Sequence, residues 1–171
     1  MKLKMTLAAL ALLLACGSVA RAQGDSPWGE YRARTFAEVV RRNTDELAGR
    51  DASYRDKVGV VFSGDPLYSQ VRVTYTGTTR KLTGPRKTHI EEWAGSFGVK
   101  PEVAALFESE MLVVECSNEH WVPVQKQVMA HFEKELKKGD PVTLFTMFAG
   151  GRKIEGGWNW FFLVNEFQAY R

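Results

Sequence analysis

Cys116 and His120 stand four residues apart in "ECSNEHW" (115–121), with Glu115 and Glu119 beside them. A cysteine attacks as its thiolate, and a neighbouring imidazole can take the proton. Along one straight strand the two would lie about 13 Å apart, too far for proton transfer. "SNE" (117–119), however, has the composition of a turn. A three-residue hairpin loop would set Cys116 opposite His120 with Cβ atoms about 5 Å apart. That geometry would suit a thiol-dependent hydrolase. Against it, no third residue presents itself to orient the imidazole, and a lone strand cysteine after Val113 and Val114 ordinarily packs as a small apolar side chain.

"ECSN" is similar to the Asp-Cys-Ser-Gly of papain-like cell-wall peptidases. That family opens a helix at its cysteine and draws its base from a histidine dozens of residues downstream. Here the lead-in is strand-like and the last histidine is His131. The sequence therefore favours a non-catalytic reading. His89, His120 and His131 form no His-x-x-x-His pair and no Cys-x-x-Cys occurs, so neither a metal site nor any cofactor is implied.

The first residues give the compartment. Lys2 and Lys4 precede the apolar run Leu7 to Ala15, and "ARA" (20–22) offers a small-residue cleavage site. These are the three parts of a secretory signal peptide, residues 1–22, and the apolar run is too short to span a bilayer. The protein is expected in the periplasm or secreted. "LLAC" (13–16) resembles a bacterial lipobox, and the alternative is a lipid anchor on Cys16, the one route by which this chain would meet a membrane. Leu14, before Ala15, fits that motif imperfectly, whereas "ARAQ" suits ordinary signal peptidase.

Cleavage also removes Lys2, Lys4 and Arg21 and no acid. Of 23 basic and 20 acidic residues, 20 of each remain, so the overall basicity belongs to the signal and no nucleic-acid partner is implied. "EEWAGSFGVKPEVAALF" (91–107) imitates a helix-turn-helix, but its second helix would present Glu102 and Glu108 to phosphate. Cys116 is then the only cysteine outside the signal, and no intrachain disulfide can form.

Residues 23–34 are polar and turn-rich and read as a mobile leader to a single globular domain over 35–171. Thr35 with Glu38 makes a capping box for a helix whose apolar face is Phe36, Val39, Val40 and Leu47. "KVGVVF" (57–62) and residues 70–82 read as strands, the second alternating Val71, Val73 and Tyr75 with Arg72, Thr74 and Thr76. Thr88 with Glu91 predicts a short helix bearing Ile90, Trp93 and Phe97. Pro101 predicts another with Val103, Leu106 and Phe107 inward. "MLVVEC" (111–116) is β-rich. "VQKQVMAHFEKELKKG" is a helix with Val124, Val128, Met129, Phe132 and Leu136 on one stripe. Residues 142–149 and 158–167 complete the chain as a hairpin with a long loop, "GGRKIEGG".

This is a mainly β domain with helices. Its element order and the "GDPVTLF…WFFLVNEF" ending resemble the small OB-fold-like domains of bacterial envelopes, and the alternative is a two-layer α+β sandwich. The resemblance implies a five-stranded, partly open barrel with a helix between strands three and four and an added N-terminal helix. It also implies a ligand face on strands two and three between the first and last hairpin loops. On that mapping the binding residues are Tyr68, Arg72, Thr74, Arg152, Lys153 and Trp158. The expected partner is an envelope polymer or protein. The stretch from Pro66 to Ile90 carries five basic residues and no acid, whereas Glu91 to Glu119 holds seven glutamates and one lysine. Either the basic loop holds an anion, or those glutamates answer its charges across the fold.

Overall fold

The structure, a computed structural model, describes residues 29–170. The expected signal segment 1–22 with Cys16, and residues 23–28 of the expected leader, lie outside the described residues. The rest of that leader is structured. Tyr31 is buried, and β1 (Arg32–Ala33) pairs in parallel with Ser69 and Gln70. The Gln70 side-chain amide donates to Tyr31 O, and Arg34 N donates to Gln70 O.

α1 (Phe36–Ala48) begins at the predicted cap. Thr35 Oγ1 accepts from Glu38 N at 3.0 Å, and a Glu38 carboxylate oxygen accepts from Thr35 N at 2.8 Å. The two remaining first-turn donors find a distant acceptor: Phe36 N and Ala37 N donate to the two oxygens of Glu115 at 2.7 and 3.1 Å. Orphan N–H groups and the positive end of the helix dipole thus fix α1 against the sheet.

"KVGVVF" is not one strand. Asp51 caps a short α2 (Ala52–Lys57) by accepting from Tyr54 N, and only β2 (Val60–Val61) then reaches the sheet. β3 (Leu67–Lys81) starts three residues before the expected strand at 70. It alternates as expected, with Val71, Val73 and Tyr75 buried and Arg72 and Thr74 exposed. α3 (Gly84–Ser96) starts four residues before Thr88, because Pro85 occupies the first turn with its φ already helical. Thr88 instead donates its hydroxyl to Gly84 O. α4 (Pro101–Ala104) is a single turn that leaves Val103 exposed rather than inward, and Phe97 is exposed too.

β4 (Phe107–Glu115) and β5 (Asn118–Gln125) form a hairpin, and α5 (Lys126–Glu135) follows with Val128, Met129 and Phe132 buried. β6 (Pro141–Ile154) and β7 (Gly157–Ala169) are longer than expected. Their long loop is a two-residue turn in which Glu155 and Gly156 both take positive φ, 52° and 82°.

Among the described residues the result is a mainly β architecture, one mixed seven-stranded sheet in the order β1-β3-β4-β5-β7-β6-β2 with five helices. β3 also pairs with β6, from Leu67–Phe148 to Thr74–Pro141. The pairings therefore run β3, β4, β5, β7, β6 and return to β3. All are antiparallel except β5 with β7. Two apolar clusters share this sheet. One joins Phe36 and Val39 of α1 and Phe132 of α5 to Val71, Val73, Met111, Val113, Val122, Leu144 and Phe162. The other lies beneath α3 and joins Ile90 and Trp93 to Phe107, Phe161 and Leu163. Successive residues of β7 thus enter opposite clusters, which is why "WFFLV" is apolar without alternation. β2 can lie against β6 only because Gly150 lacks a side chain, and the Trp158 and Trp160 indoles can lie against β6 only because Gly151 does. A Cβ on Gly150 (φ +103°) would overlap Val61 O, and one on Gly151 would sit 2.6 Å from the Trp160 ring.

Glu115 is 3 % exposed, and burial raises its proton affinity while the α1 N–H groups oppose that shift. Glu115→Gln removes the charge and one acceptor, and is expected to cost about 1–3 kcal/mol of unfolding free energy in urea titrations. Glu115→Ala, which orphans both N–H groups, should cost more.

Candidate functional site

Register decides the fate of the cysteine and histidine. Glu115 pairs with Asn118, so Cys116 and Ser117 alone form the turn, with Cys116 at φ +55° and exposed. His120 pairs with Val113, not with Cys116. Its ring lies against Phe36, 5.0 Å between centroids, and burial lowers its pKa. The loop is one residue shorter than the expected one, and the shift separates a thiol at the turn from an imidazole packed on the core. The facing pair expected from the sequence does not form.

The residues expected to bind ligand are dispersed. Arg72 lies over the Tyr170 ring at 4.7 Å, and Thr74 is exposed on β3 opposite both Val114 and Pro141. Arg152 is tied to Glu92 of α3. Lys153 sits 5.5 Å from the centroid of Trp158, which stacks on Trp160 with 16° between planes. Trp160 in turn packs against the core, as expected for one member of that pair. Tyr68 lines an open cavity, and its ring meets Tyr31 at 4.9 Å. Residues 57–62, the first strand of that mapping, contribute only β2, which lies outside the β3-β4-β5-β7-β6 circuit.

The outward side of β4 and β5 holds a different cluster. Met111, Val113, Val122 and Val124 face the core, so Glu110, Leu112 and Trp121 point away from it. Glu110 is 1 % exposed and receives Arg80 Nε at 2.5 Å and Arg86 Nε at 2.7 Å. Arg86 also donates to Asn159 Oδ1 and Trp121 O, and lies 4.7 Å from the Phe161 centroid. Arg80 stacks on the Trp121 indole at 3.8 Å and remains half exposed. Two cations on one buried carboxylate leave a net positive charge, oriented by hydrogen bonds and set beside an aromatic ring. Basicity around Arg80 and Arg86 was visible in the sequence, as was the glutamate-rich stretch 91–119, but not which of its acids would answer it. Trp121, Asn159 and Glu110 were missed, because only the pairing register brings them to that side.

His89 belongs to structure rather than chemistry. It is fully buried, stacked on Phe161 at 4.0 Å and near Phe62 at 5.2 Å. Nε2–H donates to Ala149 O at 3.3 Å, and Nδ1 has no partner. Burial, with smaller contributions from Arg152 and Arg86, lowers its pKa to about 4. His131 is exposed on α5, near Glu135. Among the described residues no group of three or more His, Cys, Asp or Glu could hold a metal ion. No helix among them is long and apolar enough to cross a membrane.

The unfolded chain protonates His89 near pH 6.5, whereas the folded chain resists until about pH 4. Stability should therefore fall as pH drops through this window, by about 3 kcal/mol from this group. His89→Phe, which keeps the stacking, is expected to flatten that part of the profile in unfolding titrations between pH 7 and 4.

Comparison with models of protein families returned no match, and neither did comparison with curated protein sequences.

Proposed function

We propose that this chain is an exported, non-catalytic binding module of the bacterial envelope, built on an OB-like five-stranded barrel. The support for the barrel is the circuit of pairings that returns to β3, with α5 joining its third and fourth strands in chain order. β3, β4, β5, β6 and β7 are then the five strands. Strands two and three become β4 and β5, and the ligand face moves from Arg72 and Thr74 to the outward side of that hairpin. The expected ligand remains an envelope polymer or protein.

The observation that carries the binding reading is the Arg80–Trp121 stack held by Glu110. A half-exposed guanidinium fixed over an indole offers a flat, cationic surface to a polar ring or an anionic group, with little ordering left to do on binding. The separation of Cys116 from His120 favours this reading over thiol-dependent hydrolysis.

Purified protein is expected to co-sediment with isolated envelope material, and Trp121→Ala and Arg80→Gln should each weaken that binding by about tenfold or more. Unchanged affinity in both variants would remove this surface from the reading. Alkylating the exposed Cys116 should leave binding intact; an activity that disappears on alkylation would favour the hydrolase instead.

A further inference from the structure

The arginines of this protein fall into two groups. Arg50, Arg80, Arg86 and Arg152 each meet a carboxylate. Among the described residues no ion pair involves Arg32, Arg34, Arg41, Arg42 or Arg72; Arg72 lies over the Tyr170 ring, while Arg32 and Arg42 are close enough for their charges to act on Arg34. Arg32 and Arg34 line an open cavity of about 460 Å³ with Tyr68, Leu67, Pro66 and Glu30. Arg42 of α1 lines an adjoining cavity that shares Pro66 and Leu67.

Arg34 is held in place by donating from Nη1 to Tyr68 O at 3.2 Å, which leaves its other donors to the cavity. Its proton affinity is lowered by burial, then by the charges of Arg32 and Arg42. The acid that opposes this effect is Glu38, and one of its oxygens already accepts from Thr35 N in the capping box. Glu30 also lines the cavity but is exposed. Like charges gathered without pairing cost stability unless something shares them.

We propose that this cavity is a phosphoryl-binding site, in which Arg32 and Arg34 hold the oxygens of a phosphate ester and the esterified group lies against Tyr68 and Leu67. A phosphate ester dianion brings two negative charges and three terminal oxygens to the two guanidiniums, whereas a single carboxylate brings one charge and two oxygens and would leave the pair net positive. The volume is that of a small-molecule site and exceeds what a bare phosphate fills, so the ligand carries an organic part of about sugar size. This site stands on β1 and the start of β3, apart from the Trp121 surface on β4 and β5, and does not depend on it.

Calorimetric titration at low ionic strength with inorganic phosphate, a hexose 6-phosphate and the unphosphorylated hexose tests the proposal. The expected order is hexose phosphate above phosphate, with no binding of the neutral sugar. Arg32→Gln and Arg34→Gln should each weaken binding by about tenfold, since each removes charge-assisted hydrogen bonds, with Arg72→Gln and Trp121→Ala unchanged. Circular dichroism of both site variants should match the parent protein, as both side chains lie at the surface of an open cavity. The proposal is overturned if neither phosphate binds saturably, or if a folded Arg32→Gln/Arg34→Gln double variant binds as the parent does. It is overturned equally if Trp121→Ala abolishes phosphate binding, because the ligand would then belong to the β4–β5 surface.

Discussion

β3 changes partners at Thr74. Up to that residue the strand pairs with β6, and beyond it with β4, while Thr74 itself stands opposite both Pro141 and Val114. A strand of ordinary length would serve one neighbour over its whole span or two neighbours side by side. Fifteen residues let β3 serve the two in succession, and Gly77 with the register shift between Tyr75 and Thr79 bends it where the exchange is complete. The return of the pairing circuit to β3, the enclosure of Val71 and Val73, and the position of Arg80 opposite Glu110 all follow from this hand-over.

Local signals in the sequence translated directly into structure. The Thr35–Glu38 cap depends on residues three apart, and the α5 stripe from Val128 to Phe132 on helical spacing, so both were readable. What failed was non-local. "KVGVVF" has the composition of a strand, yet only Val60 and Val61 find a partner, and Asp51 upstream captures the preceding residues as helix. Thr88 and Glu91 have the right spacing for a cap, but Pro85 begins the helix first. The Cys116–His120 expectation turned on one residue of loop length, and composition does not fix that number. The six expected ligand residues were mapped from a first strand at 57–62 that the structure reduces to Val60 and Val61, while Arg32 and Arg34 were set aside with the leader.

Charge in this fold is sorted by depth. Glu110 can be buried because two guanidiniums and their further partners satisfy it. Glu115 can be buried because backbone N–H groups do the same work, at the cost of a raised proton affinity. His89 has no counter-charge and stays neutral, enclosed by rings and a carbonyl. The basic segment identified in the sequence is thus partly internal wiring, and of the arginines left without a carboxylate Arg32 and Arg34 come from the stretch read as a leader, whereas Arg42 stands on the expected helix α1.

The glycine pair on β6 has a consequence for how this sequence can drift. Gly98, Gly139 and Gly156 face open space, so the room around them imposes nothing and only backbone conformation limits replacement. Gly150 and Gly151 are confined on top of that, between the Val61 carbonyl on one strand and the indoles of Trp158 and Trp160 on another. No single replacement there is absorbed by a rotamer change. Divergent descendants of this chain should therefore keep both glycines wherever they keep β2 and the paired tryptophans, and lose all of them together, which makes "GG…WNW" a better tracer of shared architecture than the cysteine and histidine that first draw the eye.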